Sequence, residues 1–398
     1  MATTMRIAYV TWRPEQFGTG TQDAVDRRRL AALMPLWEKM GIESVPWQPG
    51  VKCDLVYVTS LPASLSIAEQ LIQQPHPRPA LVVGVIEDIG TSRWASLADE
   101  TIDDLEGLVR ARRTWERSLG GRLRAIRDRF AQHGLLSTRP LRLYRVVAAA
   151  DAVACTSELQ AAALRHINPL VVGIADCIPV SDYEERDRTS AEVVLAKKAA
   201  SGCIALVWEG TAWGLQLLEL IREPLHSVAK RSSKPIMLVV VAPRFRPTLL
   251  FGSRDNEAIL RQRYEFPTLW LDWNLQTVGA LLRACDIGLA PMPQRNPFYR
   301  AKAFSKPLAY MSVGLPVVAS AIPSYCELIE HGKNGWLAHT PAEWTSCLLP
   351  LVEDSEKRLT AGNLARKRVE QFHSVDIVAD RFRRLFEDAL CVRRVRQG

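Results

Sequence analysis

Short apolar runs alternate with longer segments of helical periodicity along most of this chain. The apolar runs are four to seven residues long, which is the length of a buried strand. In the first half they predict strands at 5–11, 44–47, 55–59, 81–86, 152–156 and 170–174. In the second half they predict strands at 204–208, 236–241, 268–271, 287–290 and 317–320.

The segments between these runs place apolar residues along one side of a helix. They predict helices at 26–40, 65–73, 216–230, 256–264, 275–284 and 306–313. Strands separated by helices form parallel sheets with right-handed crossovers. Two such series predict an α/β protein with two doubly wound, Rossmann-like domains that face a cleft. Ligands in this architecture bind beyond the carboxyl ends of the strands, so the cleft is the expected site.

A polar, charge-dense interval at 181–190 separates the two series. We therefore assign residues 1–180 to a first domain, 181–202 to a linker, 203–373 to a second domain and 374–398 to a last helix. A chain of 398 residues is long enough for two domains that each bury a core.

The segment 300–338 carries the clearest chemical signal in the chain. Arg300, Lys302 and Lys306 lie just before and within the first turn of the predicted helix at 306–313, which ends at Gly314. Cationic side chains and the free backbone N–H groups of a helix N-terminus can bind one anion together. The pattern therefore predicts an anion site. The alternative is that these three charges are simply solvated on a loop.

The same segment resembles the donor-binding signature of family 4 glycosyltransferases, which have the two-domain GT-B fold. Residues 208–211 resemble the Trp-x-Gly-Ser/Thr loop of these enzymes, and residues 281–292 resemble their Leu-x-x-x-Asp-Ile-Gly-Leu-x-Pro strand. In the first half, residues 156–160 are similar to a Ser-Ser-x-x-Gln segment. The resemblance implies the GT-B fold, in which the last helix, 374–398, crosses back onto the first domain.

The resemblance also implies where a nucleotide-sugar donor binds. Its diphosphate would lie between the basic cluster and the first-domain loop Gly18, Thr19 and Gly20. The other candidate donor-binding residues are Gly210, Thr211, Arg244 and Glu327. The alternatives are an ordinary turn for the glycine loop, a surface loop for Arg244, and a brace of its own helix for Glu327.

One departure from the family pattern concerns the ribose. Family 4 enzymes commonly carry two glutamates eight positions apart, and the corresponding residues here are Ala301 and Ala309. Neither side chain can accept a hydrogen bond. The resemblance therefore implies altered ribose recognition, an unusual donor, or a domain that no longer catalyses transfer.

Two carboxylates are the candidates for a catalytic base. Glu87 and Asp88 follow the apolar strand at 81–86, so they are expected to point into the cleft and to bind or deprotonate an acceptor hydroxyl. The alternative is a helix-capping Asp and a solvated Glu. No cofactor or metal site is expected, because the nucleotide sugar is the substrate. The eight scattered cysteines lack metal-binding spacing and are expected to be reduced.

The net charge of +8 is concentrated in residues 110–145, which contain eleven arginines and two acidic residues. Apolar residues recur there at helical spacing, so the segment could contact a membrane surface that bears anionic lipid. The alternative is a helix whose apolar side faces the core. No nucleic-acid-binding module is evident, so no nucleic-acid partner is expected. The first residues lack signal-peptide features, and we expect a cytoplasmic protein, with peripheral contact at the inner membrane face as a variant of this.

These observations predict a glycosyltransferase that moves a sugar from a nucleotide-sugar donor to an acceptor hydroxyl. The expected acceptor is a glycan, a lipid-linked molecule or a small molecule, in glycan or glycosylated natural-product assembly. The alternative is a non-catalytic GT-B homologue that acts as a binding or partner subunit. The two alanines favour this alternative, whereas Lys302, Lys306, Gly210 and Thr211 favour the enzyme.

Overall fold

The computed structural model describes residues 5–11, 26–61, 64–75, 77–85, 139–179, 183, 186–211, 214–247, 253–294, 297–300 and 302–397. The first-domain strands are β1 Met5–Val10, β2 Ile42–Pro46, β3 Leu55–Val58, β4 Ala80–Val85, β5 Ala152–Cys155 and β6 Val171–Gly173. They form one parallel sheet in the order β2-β1-β3-β4-β5-β6. The helices are α1 Met34–Lys39, α2 Leu65–Gln73, α3 Arg139–Ala149 and α4 Glu158–Leu164.

The second domain contains strands β7 Ile204–Glu209, β8 Ile236–Val241, β9 Phe245–Pro247, β10 Ser253–Asp255, β11 Thr268–Leu271, β12 Ile287–Ala290, β13 Val317–Ser320 and β14 Trp336–Ala338. Six of them form a parallel sheet in the order β11-β8-β7-β12-β13-β14, and β9 pairs with β10 as a separate antiparallel ribbon. β7 and β8 are buried along their whole length, and their sequences are continuous apolar runs except for Glu209 at the end of β7, as expected for strands covered on both faces. The predicted α/β fold class is confirmed.

The helices of the second half are α5 Thr189–Ser201, α6 Arg222–Arg231, α7 Asn256–Arg263, α8 Val278–Ala284, α9 Pro297–Arg300, α10 Ser305–Ser312, α11 Pro323–Leu328, α12 Pro341–Glu353, α13 Ser355–Phe372 and α14 Val375–Gln397. None of the helices that the structure describes combines the length and the apolar character needed to cross a membrane.

Two segments that the sequence predicts as single helices are divided in the structure. The segment at 216–230 consists of a 3-10 helix, Gly214–Ile221, followed by α6. The segment at 26–40 consists of a π-helical turn, Arg27–Ala31, followed by α1. Pro224 and Pro35 lie at the two junctions. Because proline has no N–H to donate to the preceding turn, a continuous α-helix is interrupted there.

The interval 181–202 contains a helix in the structure. α5 begins at Thr189, and its Ala191 and Val194 are buried in the same core as residues of α8. It therefore packs on the second domain from residue 189 onwards. The sequence pattern gives little indication of this helix, because its remaining apolar residues, such as Val193 and Leu195, are exposed.

α14 follows the second domain in sequence but packs on the first. Its Phe382 and Phe386 are fully buried against Trp37 and Tyr57, with ring centroids 5.2–5.9 Å apart. The indole N–H of Trp37 donates a hydrogen bond to the backbone carbonyl of Ala379 over 3.1 Å. The last helix is therefore part of the first-domain core.

Only the end of the basic segment 110–145 lies within the described residues, at the start of α3. The α3 residues Leu143, Val146 and Val147 are buried in the first-domain core. Arg142 forms an ion pair with Glu69 of α2. This part of the segment thus directs its apolar side to the core, and residues 86–138 lie outside the described residues.

Tyr310 fixes the end of β7 relative to α10. A Cβ atom at Gly288 of β12 would lie 2.5 Å from the Tyr310 ring, so only glycine leaves room for the ring there. The tyrosine hydroxyl accepts a 2.9 Å hydrogen bond from the backbone N–H of Glu209, the last residue of β7. Sheet and helix are therefore held together at the edge where a ligand is expected.

His373 lies where the chain returns from the second domain to the first. Its carbonyl accepts a 3.2 Å hydrogen bond from the N–H of Ile178 in the other crossing segment, and its ring packs against Phe304. Burial, together with the charges of Arg381 and Arg368, lowers the pKa of His373 from 6.5 to about 4, and the charge of Asp176 opposes this shift. The imidazole is therefore neutral in the folded protein at neutral pH.

We expect the free energy of unfolding to fall as the pH is lowered from 6.5 to 4. In that window His373 takes up a proton in the unfolded chain and stays neutral in the folded one, so protons favour unfolding by up to about 3 kcal/mol. Chemical denaturation at several pH values would measure this. The His373→Gln variant should lose that share of the pH dependence, whereas His339→Gln, at an exposed position, should keep it. Equal slopes for wild type and His373→Gln would contradict the assignment.

Candidate functional site

The carboxyl end of β7 and the first turn of α10 meet at the edge of the second-domain sheet. Lys306, in the first turn of α10, places its ammonium group 6.0 Å from the centre of the Trp208 ring. Glu209 follows Trp208 and is 8% exposed. The site therefore combines a cation with a nearly buried carboxylate at the position where ligands bind in parallel α/β domains.

The predicted basic cluster is only partly assembled at this point. Lys306 reaches the end of β7, whereas Lys302 packs against the ring of Tyr299 in α9, 5.9 Å from its centre. Arg300 ends α9 and is exposed. The structure thus supports Lys306 as the cation next to β7, and a shared anion for all three side chains remains a prediction.

Gly210 and Thr211 form the loop that leaves β7. The N–H of Gly210 donates to the carbonyl of Val241 over 3.0 Å, and a Cβ atom at Gly210 would lie 2.4 Å from the Trp208 ring. The hydroxyl and the carbonyl of Thr211 both accept from the N–H of Gly214, at 3.2 and 2.9 Å. Thr211 thus bonds to the first residue of the 3-10 helix, and a contact of this loop with a phosphate or sugar remains a prediction.

Arg244 forms an ion-pair cluster on the loop after β8. Its guanidinium lies 2.8 Å from a carboxylate oxygen of Asp255 and 2.9 Å from one of Glu257. The hydrogen bond from Arg244 lowers the pKa of Asp255. Asp255 and Glu257 thus already compensate the positive charge of Arg244, which makes Arg244 a less favourable phosphate ligand.

Three consecutive arginines of the first domain, Arg27, Arg28 and Arg29, are nearly or fully buried. Arg28 donates a 2.8 Å hydrogen bond to the hydroxyl of Tyr183, between the domains. These arginines are not among the site residues predicted from the sequence. The signal was present, because successive helical residues point about 100° apart and three in a row cannot all lie on one solvated face.

Cations from both domains act on the carboxyl group of Glu209. Burial raises the pKa of this group, and the charges of Arg28 and then Lys306 act in the opposite direction. A hydrogen bond of 3.3 Å from the indole N–H of Trp273, followed by the charge of Arg27, also lowers the pKa. Cationic side chains of both domains therefore lie near enough to the end of β7 to act on this carboxyl group, although burial outweighs them and the pKa of Glu209 is raised overall.

Asp176 connects the two walls of the cleft. One carboxylate oxygen lies 3.2 Å from Nε of Arg29, and the other accepts a 3.0 Å hydrogen bond from the hydroxyl of Ser305. Arg29 also donates to the carbonyls of Cys155 and Ile174 at the carboxyl ends of first-domain strands. Ser305 is the first residue of α10, so this chain of contacts ends directly beside Lys306.

Glu327 caps a helix of the other domain. Its two carboxylate oxygens accept hydrogen bonds from the N–H groups of Glu158 and Leu159, at 2.9 and 3.0 Å. These are the first two residues of α4 in the first domain. A carboxylate at a helix N-terminus satisfies free N–H groups and complements the helix dipole. The structure thus gives Glu327 a role in holding the domains together, and a contact with the donor remains a prediction.

Ala309 is fully buried in the core of the second domain. A glutamate at this position would have to place its carboxylate inside that core, so the structure does not support a simple gain of ribose contacts from such a change. The other sequence-predicted positions, Gly18, Thr19, Gly20, Glu87, Asp88 and Ala301, lie outside the described residues.

Solved structures of other proteins have the same architecture. HepE from Anabaena, solved with UDP and glucose, aligns with a TM-score of 0.62 over 96% of this chain and 99% of HepE, at 15% identity. Sucrose-phosphate synthase from Thermosynechococcus elongatus aligns with a TM-score of 0.64 over 97% of this chain and 99% of the synthase, at 14% identity. The protein has the GT-B fold.

Sequence comparisons agree with this fold. Residues 220–354 of this GT-B protein match the family model described as glycosyl transferases group 1. O-antigen biosynthesis protein RfbC of Myxococcus xanthus is 35% identical over 97 residues, which are 24% of this chain and 7% of RfbC. Spore coat protein SA of Bacillus subtilis is 31% identical over 80 residues, which are 19% of this chain and 21% of that protein. The matches thus span a small part of both relatives.

Removing the Glu327 carboxylate should expose two amides of the GT-B protein to exchange. In Glu327→Ala, the N–H groups of Glu158 and Leu159 lose their acceptor, so their hydrogen exchange should accelerate by about tenfold or more. This factor corresponds to the free energy of a hydrogen bond to a charged group. Gln160 provides an internal control, because its N–H is bonded to Ser157. Hydrogen exchange measured by NMR would resolve the three amides.

A matched variant separates the cap from a general charge effect. Glu330→Gln removes an exposed carboxylate three residues away that pairs with Lys333, and it should leave the three amides unchanged. Unaltered exchange at Glu158 and Leu159 in Glu327→Ala would show that this contact between the domains does not form in solution.

Proposed function

We propose that this protein is a glycosyltransferase that moves a sugar from a nucleotide-sugar donor to the hydroxyl group of an acceptor. The observation that carries the proposal is the convergence of cations from both domains at the carboxyl end of β7. Arg28 and Arg27 come from the first domain and Lys306 from the second. A diphosphate is the part of a donor that such a site would bind, because it is multiply charged and must be held while it leaves.

The reaction needs the leaving diphosphate to be stabilised and the two substrates to be aligned. As the bond between the sugar and the diphosphate breaks, negative charge grows on the phosphate oxygens. Fixed cations beside those oxygens lower the energy of this state more than that of the bound donor. The Asp176–Ser305 contact places the start of α10 against the first domain, which fixes Lys306 relative to the first-domain arginines. Glu87 and Asp88 remain the candidates for the base that accepts the hydroxyl proton.

Uridine nucleotides are the first donor class to examine, because HepE, which shares the fold, was solved with UDP and with UDP-glucose. The chain should be screened by thermal shift with UDP-, GDP-, ADP- and dTDP-sugars, since a ligand that binds only the folded state raises the melting temperature. Release of the nucleoside diphosphate from the sugar nucleotide then tests turnover without a known acceptor. Absence of both binding and release with every donor would contradict the proposal.

Lys306 should be required for binding the diphosphate. We expect Lys306→Ala to weaken the binding of UDP by about 10- to 100-fold, which corresponds to about 1.5–3 kcal/mol for a hydrogen bond to a charged group. Calorimetric titration would measure the affinity. Lys333→Ala is the control, because Lys333 is an exposed lysine of the same domain that pairs with Glu330. Equal affinities of wild type and Lys306→Ala would remove Lys306 from the site.

The second candidate function is that of a non-catalytic GT-B subunit. The observation in its favour is that Ala309 supplies no side-chain acceptor and is enclosed in the core. A purified protein that binds UDP but never releases it from UDP-glucose, with or without acceptors, would favour this function. Measured turnover would exclude it.

We further propose that the acceptor is a glycan, a lipid-linked molecule or a small molecule with a free hydroxyl group. The similarity of part of the chain to an O-antigen biosynthesis protein supports a glycan among these acceptors. Contact with a membrane through residues 110–145 stays a proposal that depends mainly on residues outside the described part. Co-sedimentation with vesicles that contain anionic lipid would test it, and equal binding to neutral vesicles would contradict an electrostatic contact.

A further inference from the structure

Glu209 has a nearly buried carboxylate at the expected ligand site. The proposed chemistry gives this carboxylate no role. It ends β7, after five residues that are also buried, and only 8% of it is exposed. Its backbone N–H is fixed by the hydroxyl of Tyr310 at 2.9 Å. The backbone of Glu209 is therefore held in place at the carboxyl end of β7, and its side chain contacts Trp273.

The carboxylate of Glu209 has spare hydrogen-bonding capacity. Within the described residues, its side chain accepts one hydrogen bond, from the indole N–H of Trp273 to Oε2 over 3.3 Å, and no cation lies within 4.0 Å in an ion pair. An ionised carboxylate can accept about four hydrogen bonds. Burying it with so few partners costs free energy unless a ligand supplies the missing donors.

Trp273 adds an apolar surface next to this carboxylate. It follows β11, and 38% of it is exposed, so part of its ring is accessible to a ligand. The contact between Trp273 and Glu209 thus places a hydrogen-bond acceptor next to a partly exposed indole ring. A sugar ring could bind here, because its hydroxyl groups can donate hydrogen bonds to Glu209 while its C–H groups pack against the indole ring of Trp273.

We propose that Glu209 binds hydroxyl groups of the nucleotide-sugar donor, with Trp273 packing against the ring that carries them. The proposal rests on the proposed function, because it takes the donor as the ligand of the cleft. A phosphate is not the group that this carboxylate would bind, since two anions repel each other. Hydroxyl groups are present on both rings that flank the diphosphate, the ribose and the transferred sugar, and either could reach a carboxylate close to the phosphate-binding cations.

The test is a calorimetric titration of wild type, Glu209→Ala and Glu209→Gln with UDP, dUDP and UDP-glucose. We expect both variants to bind UDP-glucose about 10- to 100-fold more weakly than wild type, because hydrogen bonds to a charged acceptor are lost. The glutamine variant keeps the shape of the side chain, so it remains informative if the alanine variant folds poorly. Lys333→Ala, on the surface of the same domain, serves as the matched control and should bind like wild type.

The panel of ligands identifies which ring is bound. If the ribose is the partner, the variants lose affinity for UDP as well, and wild type binds dUDP more weakly than UDP. If the transferred sugar is the partner, the variants lose affinity for UDP-glucose but bind UDP like wild type. Both results support the proposal.

Two results would overturn it. Unchanged affinity of both variants for UDP and UDP-glucose would show that Glu209 contacts neither ring. Tighter binding of UDP by Glu209→Ala would show that the carboxylate only repels the phosphates.

If wild type itself binds no nucleotide or sugar nucleotide in the thermal-shift screen, the proposed function fails, and this inference fails with it. The wild-type arm of the experiment thus separates the two claims.

Discussion

The buried ion pair between Arg29 and Asp176 holds the first-domain carboxylate that contacts the second domain. The Arg29 side chain is fully enclosed, 3.2 Å from Asp176 and 5.6 Å from the centre of the Phe382 ring of α14. Asp176 in turn accepts from Ser305 at the start of α10. Such a pair adds little net stability, but removing one partner costs about 3–5 kcal/mol because the other charge stays buried. The interaction therefore ties the first-domain strands, the crossing segment, the last helix and α10 into one geometry.

The proposed function rests on where this geometry places charge. Arg28 and Arg27 of the first domain and Lys306 of the second lie around the end of β7, and their charges all act on Glu209. Such an arrangement attracts an anion, and the Glu209 carboxylate can also accept hydrogen bonds from neutral hydroxyl groups. A nucleotide sugar has an anionic diphosphate and, on either side of it, a ring that carries hydroxyl groups. Glu327, which caps α4 from the other domain, adds a second contact that holds the walls together.

Much of the fold could be predicted from the sequence because both sheets are covered on two faces. A strand such as β8 is then a continuous apolar run, Ile236–Val241, and the predicted and observed bounds agree. Helix boundaries were harder to predict, since Pro224 interrupts a pattern that otherwise reads as one helix. α5 was missed because only Ala191 and Val194 bury side chains in its first turns. Local patterns cannot show such weakly amphipathic helices.

The site could be predicted only in part, because its contacts join distant parts of the chain. Lys306 was identified from its place at a helix start. Glu209 was not, although a charged residue at the carboxyl end of an apolar strand is the same signal that singled out Glu87. The partners of Glu327 lie 169 and 168 residues away in sequence, so no local pattern could indicate them.

The central claim is that cations from both domains hold the diphosphate of the donor. The most direct measurement is a crystal structure of the protein with UDP. We expect phosphate oxygens within hydrogen-bond distance of Lys306 and of Arg27 or Arg28, at the carboxyl end of β7. A nucleotide whose phosphates contact one domain only, or that binds away from this strand end, would contradict it.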